Sequence, residues 1–115
     1  MKILIAIEED EGINSKLSNH FGHCKNFAIY ETETEKLEII KNELNHHDPN
    51  SSPVDQLKKH SLNTVISSSM GRKAIELFKK ENIEVKIGTY TTVKEVIANL
   101  DTLKEIKKGC NHEHN

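Results

Sequence analysis

The feature that most constrains this chain is an uninterrupted apolar run near its start. Residues 3–7 read Ile-Leu-Ile-Ala-Ile, with no polar residue among them. A strand with one solvated face alternates apolar and polar residues, whereas a run like this one is typical of a strand covered on both faces. Such strands lie centrally in α/β sheets. We therefore predict a central strand over residues 2–7 and an α/β fold built around it.

A long polar loop and then a hairpin follow this strand. Residues 8–25 show neither helical nor strand periodicity, and a loop of that length inside one domain usually has a function. Residues 26–32 and 36–43 are two β-prone runs separated by three polar residues. This spacing predicts a β-hairpin with a short polar connection.

The second half of the chain alternates helical and strand patterns. Ser52 as N-cap and Pro53 at the first helical position predict a helix over residues 53–60. Thr92 and Glu95 form a capping-box pattern that opens a third helix. Between them we predict a buried strand over residues 64–67, a helix with Ala74, Ile75, Leu77 and Phe78 on one face, a left-handed helix end at Asn82 and a strand over residues 84–88.

The resulting order, β-β-β-α-β-α-β-α, predicts a mixed five-stranded sheet with helices on both faces. Helices between the strands that contain Ile39, Val65 and Val85 predict right-handed crossovers between parallel neighbours. The hairpin adds antiparallel pairing. A chain of 115 residues suffices for one hydrophobic core. We expect a single domain over residues 1–103 and a polar tail containing Cys and His over residues 104–115.

The composition excludes several classes of protein. The chain is 35% hydrophobic and 30% charged with a net charge of -2, which suits a soluble globular protein that binds no nucleic acid. The opening apolar run is too short for a signal peptide, and no later stretch approaches the roughly 18 apolar residues of a membrane span. We expect a cytoplasmic protein without membrane contact. In that reducing compartment Cys24 and Cys110 are expected to be free thiols or metal ligands rather than a disulfide.

The long loop holds a dense group of ligand-type side chains. His20, His23 and Cys24 fall within five residues, and imidazole with thiolate suits zinc, copper or iron–sulfur species. Three ligands do not close a tetrahedral site, which favours an open site or one completed by another loop or subunit. The alternative is structural: His20 hydrogen-bonds within the loop, and Cys24 packs as a small apolar side chain.

Phe21 and Gly22 lie between these ligand candidates. A phenylalanine beside a ligand can shield a cluster from water, although core packing is the commoner role. Glycine permits close backbone approach or a positive φ. His46 and His47 follow on the loop before the first helix. Each is a candidate ligand if that loop shares one end of the sheet with the His20 loop, and otherwise a solvated surface residue.

Two further segments carry candidate ligand residues. Residues 67–72 lead from a strand into a helix, where Gly71, Arg72 and the helix N-terminus are placed to contact an anionic cluster. A simple capped helix start is the alternative there. The tail is similar to short Cys/His-rich metal-binding tracts, the alternative being an unstructured chain end, and its candidate ligands are Cys110, His112 and His114.

Four segments, taken in order, resemble one known family: residues 2–7, residues 18–22 leading into 26–30, residues 65–74 and residues 82–85. The chain resembles the dinitrogenase iron-molybdenum cofactor biosynthesis family, which comprises small nitrogenase-cofactor carrier and insertion domains and their relatives. The resemblance implies a ribonuclease-H-like three-layer fold and binding of an iron–sulfur cluster or an iron-molybdenum cofactor precursor. It points first to His20, which belongs to a His-Phe-Gly motif.

The function that follows is a non-enzymatic binder or carrier of such a cluster. His20 and Cys24 would ligate iron, and the cluster would pass from a donor protein to an acceptor protein. We expect a monomer or a weak homodimer. A zinc-binding or metal-free interaction or regulatory domain is the main alternative. A thiol enzyme with Cys24 as nucleophile and His20 or His23 as base is a further alternative, but no motif supplies an orienting residue or oxyanion donors, so we predict no enzymatic activity.

Overall fold

The opening apolar run forms the central strand of a five-stranded sheet. The computed structural model describes residues 1–45, 47–88 and 91–100. Within them, strands β1 to β5 are, in chain order, Lys2–Ile7, Asn26–Glu31, Lys36–Lys41, Thr64–Ser67 and Glu84–Ile87. They lie side by side in the order β3-β2-β1-β4-β5. The predicted strands are confirmed, although β2, β3 and β5 end slightly earlier than predicted.

The sheet is mixed, as predicted, but one expected neighbour is wrong. β1 pairs antiparallel with β2 and parallel with β4, and β4 pairs parallel with β5. We expected β4 to lie beside the strand that contains Ile39, yet that strand, β3, pairs only with β2 within the described sheet. Every residue of β4 is buried, whereas β3 is half-exposed. Pairing with β1 places β4 inside the sheet, where a hydrophobic core covers each of its faces, as an all-buried strand requires.

Three short α-helices cover the two faces of the sheet. They are α1 over Pro53–Leu57, α2 over Arg72–Lys80 and α3 over Val93–Ala98. None of the helices in the described part of the chain is long and apolar enough to cross a membrane. One core joins the sheet to α1 and α2 and includes Leu4, Ala6, Phe27, Val54, Leu57, Val65 and Phe78. A second core joins the opposite face to α3 and includes Ile3, Ile5, Ile7, Ala28, Ile66, Val93 and Val96.

Local sequence signals set the ends of the first two helices. Ser52 and Asp55 form a reciprocal capping box: the Ser52 hydroxyl accepts from the Asp55 N–H, and the Asp55 carboxylate accepts from the Ser52 N–H, both at 3.1 Å. α1 ends at Leu57, and a 3-10 turn over Lys58–His60 completes the stretch predicted as one helix. Asn82 has φ 61°, the left-handed conformation predicted after α2.

The third helix differs from its predicted capping box in one contact. The Thr92 hydroxyl accepts from the Glu95 N–H at 3.3 Å as predicted, but the Glu95 carboxylate accepts from the Thr91 N–H at 2.9 Å. Thr92 also forms an isolated antiparallel bridge with Lys16 of the long loop. The start of α3 is therefore tied to the long loop as well as to its own first turn.

The direction of the strands brings several loops to one place. β1, β3, β4 and β5 all run the same way, so the segments that follow them emerge at one edge of the sheet, here called the carboxyl edge. The described segments that follow β1, β3 and β4 are residues 8–25, residues 42–45 with 47–52, and residues 68–71. The sequence-predicted ligand residues on these segments are thus gathered at one edge.

The central position of β1 predicts unequal effects of one conservative substitution at two sites. Ile5 is fully buried in β1, whereas Ile13 of the long loop is 44% exposed. We expect Ile5→Val to lower the free energy of unfolding by about 1 kcal/mol because it removes a buried methylene group. Ile13→Val should change it by less than about 0.5 kcal/mol. Urea denaturation followed by circular dichroism measures both; equal effects would contradict the central placement of β1.

Candidate functional site

The long loop after β1 is held by backbone hydrogen bonds at its start and in its middle. The Glu8 N–H donates to the Lys16 carbonyl at 3.0 Å, and the Ser18 N–H donates to the Ala6 carbonyl at 2.8 Å. The Leu17 N–H donates to the Thr91 carbonyl at 3.0 Å, which ties the loop to the start of α3. The loop therefore delivers residues 20–24 to a defined place on the carboxyl edge.

Residues 20–24, called the ligand turn below, separate exposed imidazoles from a buried thiol. The His23 N–H donates to the His20 carbonyl at 3.1 Å and closes the turn. Gly22 has φ 90°, which explains why glycine stands there. Both histidine residues are exposed, whereas Cys24 is 3% exposed. In this conformation the solvent therefore reaches the two histidine residues of the turn but not its thiol.

Phe21 connects the ligand turn to the core. Its ring lies edge-on to the Phe78 ring with centroids 5.5 Å apart, and it is tilted against the Phe27 ring at 5.7 Å. Phe21 is half-buried against the core on the α1 and α2 face. Phe21 thus makes the contacts that the core-packing alternative expects, and these aromatic contacts hold the turn against the sheet. Its role beside a cluster stays a prediction.

Cys24 packs among apolar side chains at the start of β2. It belongs to the core that includes Phe27 and Leu57. Burial raises the pKa of its thiol from 9.0 to about 11, and hydrogen bonding from nearby backbone groups offsets only part of that effect. The thiol is therefore protonated at neutral pH in this conformation, which does not favour nucleophilic attack.

Asn42, on the segment after β3, supports the ligand turn from outside it. The Asn42 side-chain amide donates to the Gly22 and Cys24 carbonyls, both at 2.8 Å, and lies 3.8 Å from the Cys24 sulfur. The sequence analysis missed Asn42, because nothing local distinguishes it from an ordinary polar residue at a strand end. Its partners are 18 and 20 positions away in the chain.

Serine hydroxyls after β4 hold the segment that precedes the ligand turn. Ser68 Oγ donates to the Ser18 carbonyl at 3.1 Å, and Ser69 Oγ donates to the Asn19 carbonyl. These hydroxyls therefore do not cap α2. Gly71 is its N-cap residue, and no side chain caps the helix there. The capped start that we weighed for α2 is wrong, and the first N–H groups of α2 lack a side-chain acceptor in the described structure.

The ligand turn forms one wall of a groove between α1 and α2. The groove has a volume of about 670 Å³, within the range of small-molecule sites. Of the candidate residues, Phe21, Gly22, His23 and Gly71 line it, whereas His20, Cys24 and Arg72 do not. The sequence analysis missed the rest of the lining, which is Asp48, Pro49, Asn50, Ser51, Ser52, Pro53, Val54, Asp55, Lys73, Ala74 and Leu77.

The two carboxylates of the groove are engaged by local donors. Asp48 accepts from the Asn50 N–H at 2.8 Å and the Ser51 hydroxyl at 3.0 Å, and these bonds lower the pKa of its carboxyl. The capping contacts from Ser52 lower the pKa of Asp55 in the same way. Lys73 supplies a positive charge on the α2 side of the groove. The groove thus combines engaged carboxylates with a basic residue and the open start of a helix.

Of the remaining candidate ligands, the structure describes one and leaves four outside its described residues. His47 is exposed on the segment after β3, and its N–H donates to the Asn45 side chain at 3.0 Å. This segment shares the carboxyl edge with the His20 loop, as the His47 hypothesis requires. Within residues 1–45, 47–88 and 91–100, no three His, Cys, Asp or Glu side chains are grouped to hold a metal ion. Four candidate ligands lie outside the described residues, namely His46, Cys110, His112 and His114.

Comparison with known proteins gives consistent matches over most of the chain. The family described as dinitrogenase iron-molybdenum cofactor matches residues 1–103. An uncharacterized protein from Methanocaldococcus jannaschii is 31% identical over 102 residues, which cover 84% of this chain and 82% of that protein.

Two solved structures share the fold over most of their length. The crystal structure of PH0822 has a TM-score of 0.74 and 29% identity, and the match covers 87% of this chain and 88% of that one. The NMR structure of a candidate NifB protein from Thermotoga has a TM-score of 0.72 and 25% identity, with 88% and 87% covered. These matches support the mixed α/β architecture described above.

The raised pKa of Cys24 predicts a specific loss of stability in alkali. Because its pKa is about 11 in the folded protein against 9.0 for the ordinary thiol, the protonated thiol favours the folded state. This contribution is fully present below pH 9 and is lost as the pH rises towards 11. Between pH 8 and 10 the wild type should lose about 1 kcal/mol more than Cys24→Ala. Urea denaturation at both pH values measures this difference; parallel losses would show that the thiol is not buried.

Proposed function

This chain belongs to the dinitrogenase iron-molybdenum cofactor family, and from that premise we propose that it is a non-enzymatic carrier of an iron–sulfur cluster or an iron-molybdenum cofactor precursor. The cargo sits in the groove between α1 and α2. The observation that carries the proposal is the position of His23 in that groove, which Gly71 at the start of α2 also lines. An iron ligand and an anion-attracting helix end thereby face one cavity.

The charges around the groove suit an anionic cargo. Sulfide-rich iron clusters carry net negative charge, and such charge is favoured near the N-terminus of a helix and near a lysine. α2 is nine residues long and has no side-chain cap at Gly71, and Lys73 lines the same groove. Asp48 and Asp55 repel an anion less than free carboxylates would, because neighbouring N–H and O–H groups donate to them. These features support an anionic ligand.

The two exposed imidazoles are the proposed ligands to iron. His23 lines the groove, and His20 lies on the same short turn. Imidazole nitrogen is an established ligand for iron–sulfur centres. Cys24 becomes a ligand only if the turn moves, because its sulfur is buried beside Asn42. A site built from two solvent-exposed imidazoles favours exchange of the cargo over permanent retention.

The remaining parts of the proposal concern partners and fold class. A carrier requires a cluster donor protein and an acceptor protein, and we propose that it meets them in the cytoplasm as a monomer or weak homodimer, without nucleic acid or membrane. We also assign the domain to the ribonuclease-H-like class. The strand order β3-β2-β1-β4-β5, with β2 antiparallel to its neighbours, supports that assignment.

Anaerobic loading tests the carrier function and its ligands. Purified protein incubated with iron and sulfide should develop a brown sulfur-to-iron charge-transfer spectrum. His20→Ala and His23→Ala should each retain iron at least about tenfold more weakly than the wild type. His60→Ala is the matched control, because His60 lies at the end of the 3-10 turn after α1 and does not line the groove.

The outcomes of the loading experiment separate the carrier from its alternative. Equal loading of all three histidine variants would exclude the ligand turn as the binding site. Stable retention of zinc without iron, or of no metal at all, would favour the zinc-binding or metal-free interaction domain. Both outcomes are measured by metal and sulfide analysis of the same samples.

The groove itself is tested by substitutions at Gly71. A Cβ atom at this position meets no heavy atom within 4 Å, and the backbone φ is -65°. Gly71→Ala should therefore fold and load iron normally. Gly71→Leu should also fold, but its side chain extends into the groove and should reduce loading to less than about half of that of Gly71→Ala. Equal loading of the two variants, measured as bound iron per protein, would place the cargo elsewhere.

A further inference from the structure

We propose that Asn42 is a positioning residue that holds the ligand turn in the conformation that presents His20 and His23 to the cargo. The proposal rests on the proposed function, because it assigns a role at the same site. Asn42 does not line the groove in which the proposed cargo would lie. It acts through the backbone of the turn.

The hydrogen bonds of Asn42 use both ends of its side-chain amide. The two N–H groups are directed at the Gly22 and Cys24 carbonyls, each at 2.8 Å. The amide oxygen accepts from the Leu44 N–H at 2.9 Å, so the side chain is oriented by its own loop. Its backbone N–H donates to the Lys25 carbonyl at 3.0 Å. No other standard side chain of this size supplies two such donors and one such acceptor.

These bonds continue into the opposite wall of the groove. Beyond Leu44, the Asn45 N–H donates to Gln56 Oε1 at 2.7 Å, and Gln56 Nε2 donates back to the Asn45 carbonyl at 2.8 Å. Gln56 belongs to α1, whose first turn lines the groove. Asn42 therefore stands at the centre of a hydrogen-bonded chain that joins the ligand turn to α1. The chain thereby connects two parts of the groove lining.

A second set of contacts fixes the other end of the ligand turn. Ser68 and Ser69 donate to the carbonyls of residues 18 and 19, just before the turn. Asn42 holds the carbonyls of residues 22 and 24. The peptide between these anchors carries His20 and His23. Removal of the Asn42 anchor should release one end of this peptide while the serine anchors and the core remain.

The experiment compares Asn42→Asp with Asn45→Asp. Both are made in a Cys110→Ser background, which leaves Cys24 as the one thiol of the chain. Asp at position 42 keeps the oxygen that accepts from Leu44 but replaces both donors with an oxygen facing two carbonyls. Asp at position 45 keeps the acceptor that binds the His47 N–H, so it is a matched control with the same change in charge. Asn42→Ala provides a second test without the added charge.

The first readout is the rate at which Cys24 reacts with an aromatic disulfide reagent under native conditions. Cys24 is 3% exposed, so its reaction reports opening of the turn. We expect Asn42→Asp and Asn42→Ala to react at least about tenfold faster than the control, as loss of two neutral hydrogen bonds implies. Urea denaturation of the same proteins gives the part of each reaction rate that comes from global unfolding, and this part is subtracted from the measured rate. Rates equal to that of Asn45→Asp would overturn the proposal.

The second readout is the rate at which iron leaves the loaded protein to a chelator. A merely structural role would reduce the folded fraction without changing release from folded molecules, whereas a positioning role should accelerate release at least about tenfold. Unchanged release from a loaded Asn42→Asp protein would overturn the positioning role. If the wild type takes up no cluster, the carrier function fails. The cysteine rates then still decide whether Asn42 holds the turn.

Discussion

The structure depends on the pairing of β1 along both of its edges. β1 is almost entirely apolar, so it is stable only where strands lie on both sides and helices cover both faces. The hairpin supplies an antiparallel neighbour, and β4 supplies a parallel one. Because β4 runs parallel to β1, the loop after β1 and the loop after β4 emerge at the same edge of the sheet. The contacts of Ser68 and Ser69 with the long loop are a direct result of that pairing.

The candidate site is built mainly from contacts to backbone carbonyls. Phe21 anchors the ligand turn through its ring, and Asn42 and the two serine residues anchor it through hydrogen bonds. The cost of burying the polar backbone of a long loop is offset by these donors. The turn can therefore keep two imidazoles exposed while the residues around them are fixed.

Much of the fold could be predicted because its signals are local. The central strand, the hairpin, the Ser52 cap and the left-handed Asn82 each depend on a few adjacent residues. The neighbour of β4 could not be predicted in the same way, since it depends on which distant edge buries the most apolar surface. The resemblance to the cofactor family was confirmed by the match over residues 1–103. The role of each ligand candidate stays a prediction.

The candidate site was predicted less completely for the same reason. The residue types of the ligand turn predicted a site there. Asn42, Lys73 and the loop before α1 could be assigned to that site only from contacts between distant parts of the chain. A further consequence concerns how such a site can change. Asn42, Ser68 and Ser69 all bind main-chain oxygens, which every amino acid possesses. The path of the turn is thus encoded by these residues together with Phe21 and Gly22, and not by positions 20 and 23. Evolution or a protein designer can therefore exchange the two exposed histidine side chains on an unchanged scaffold.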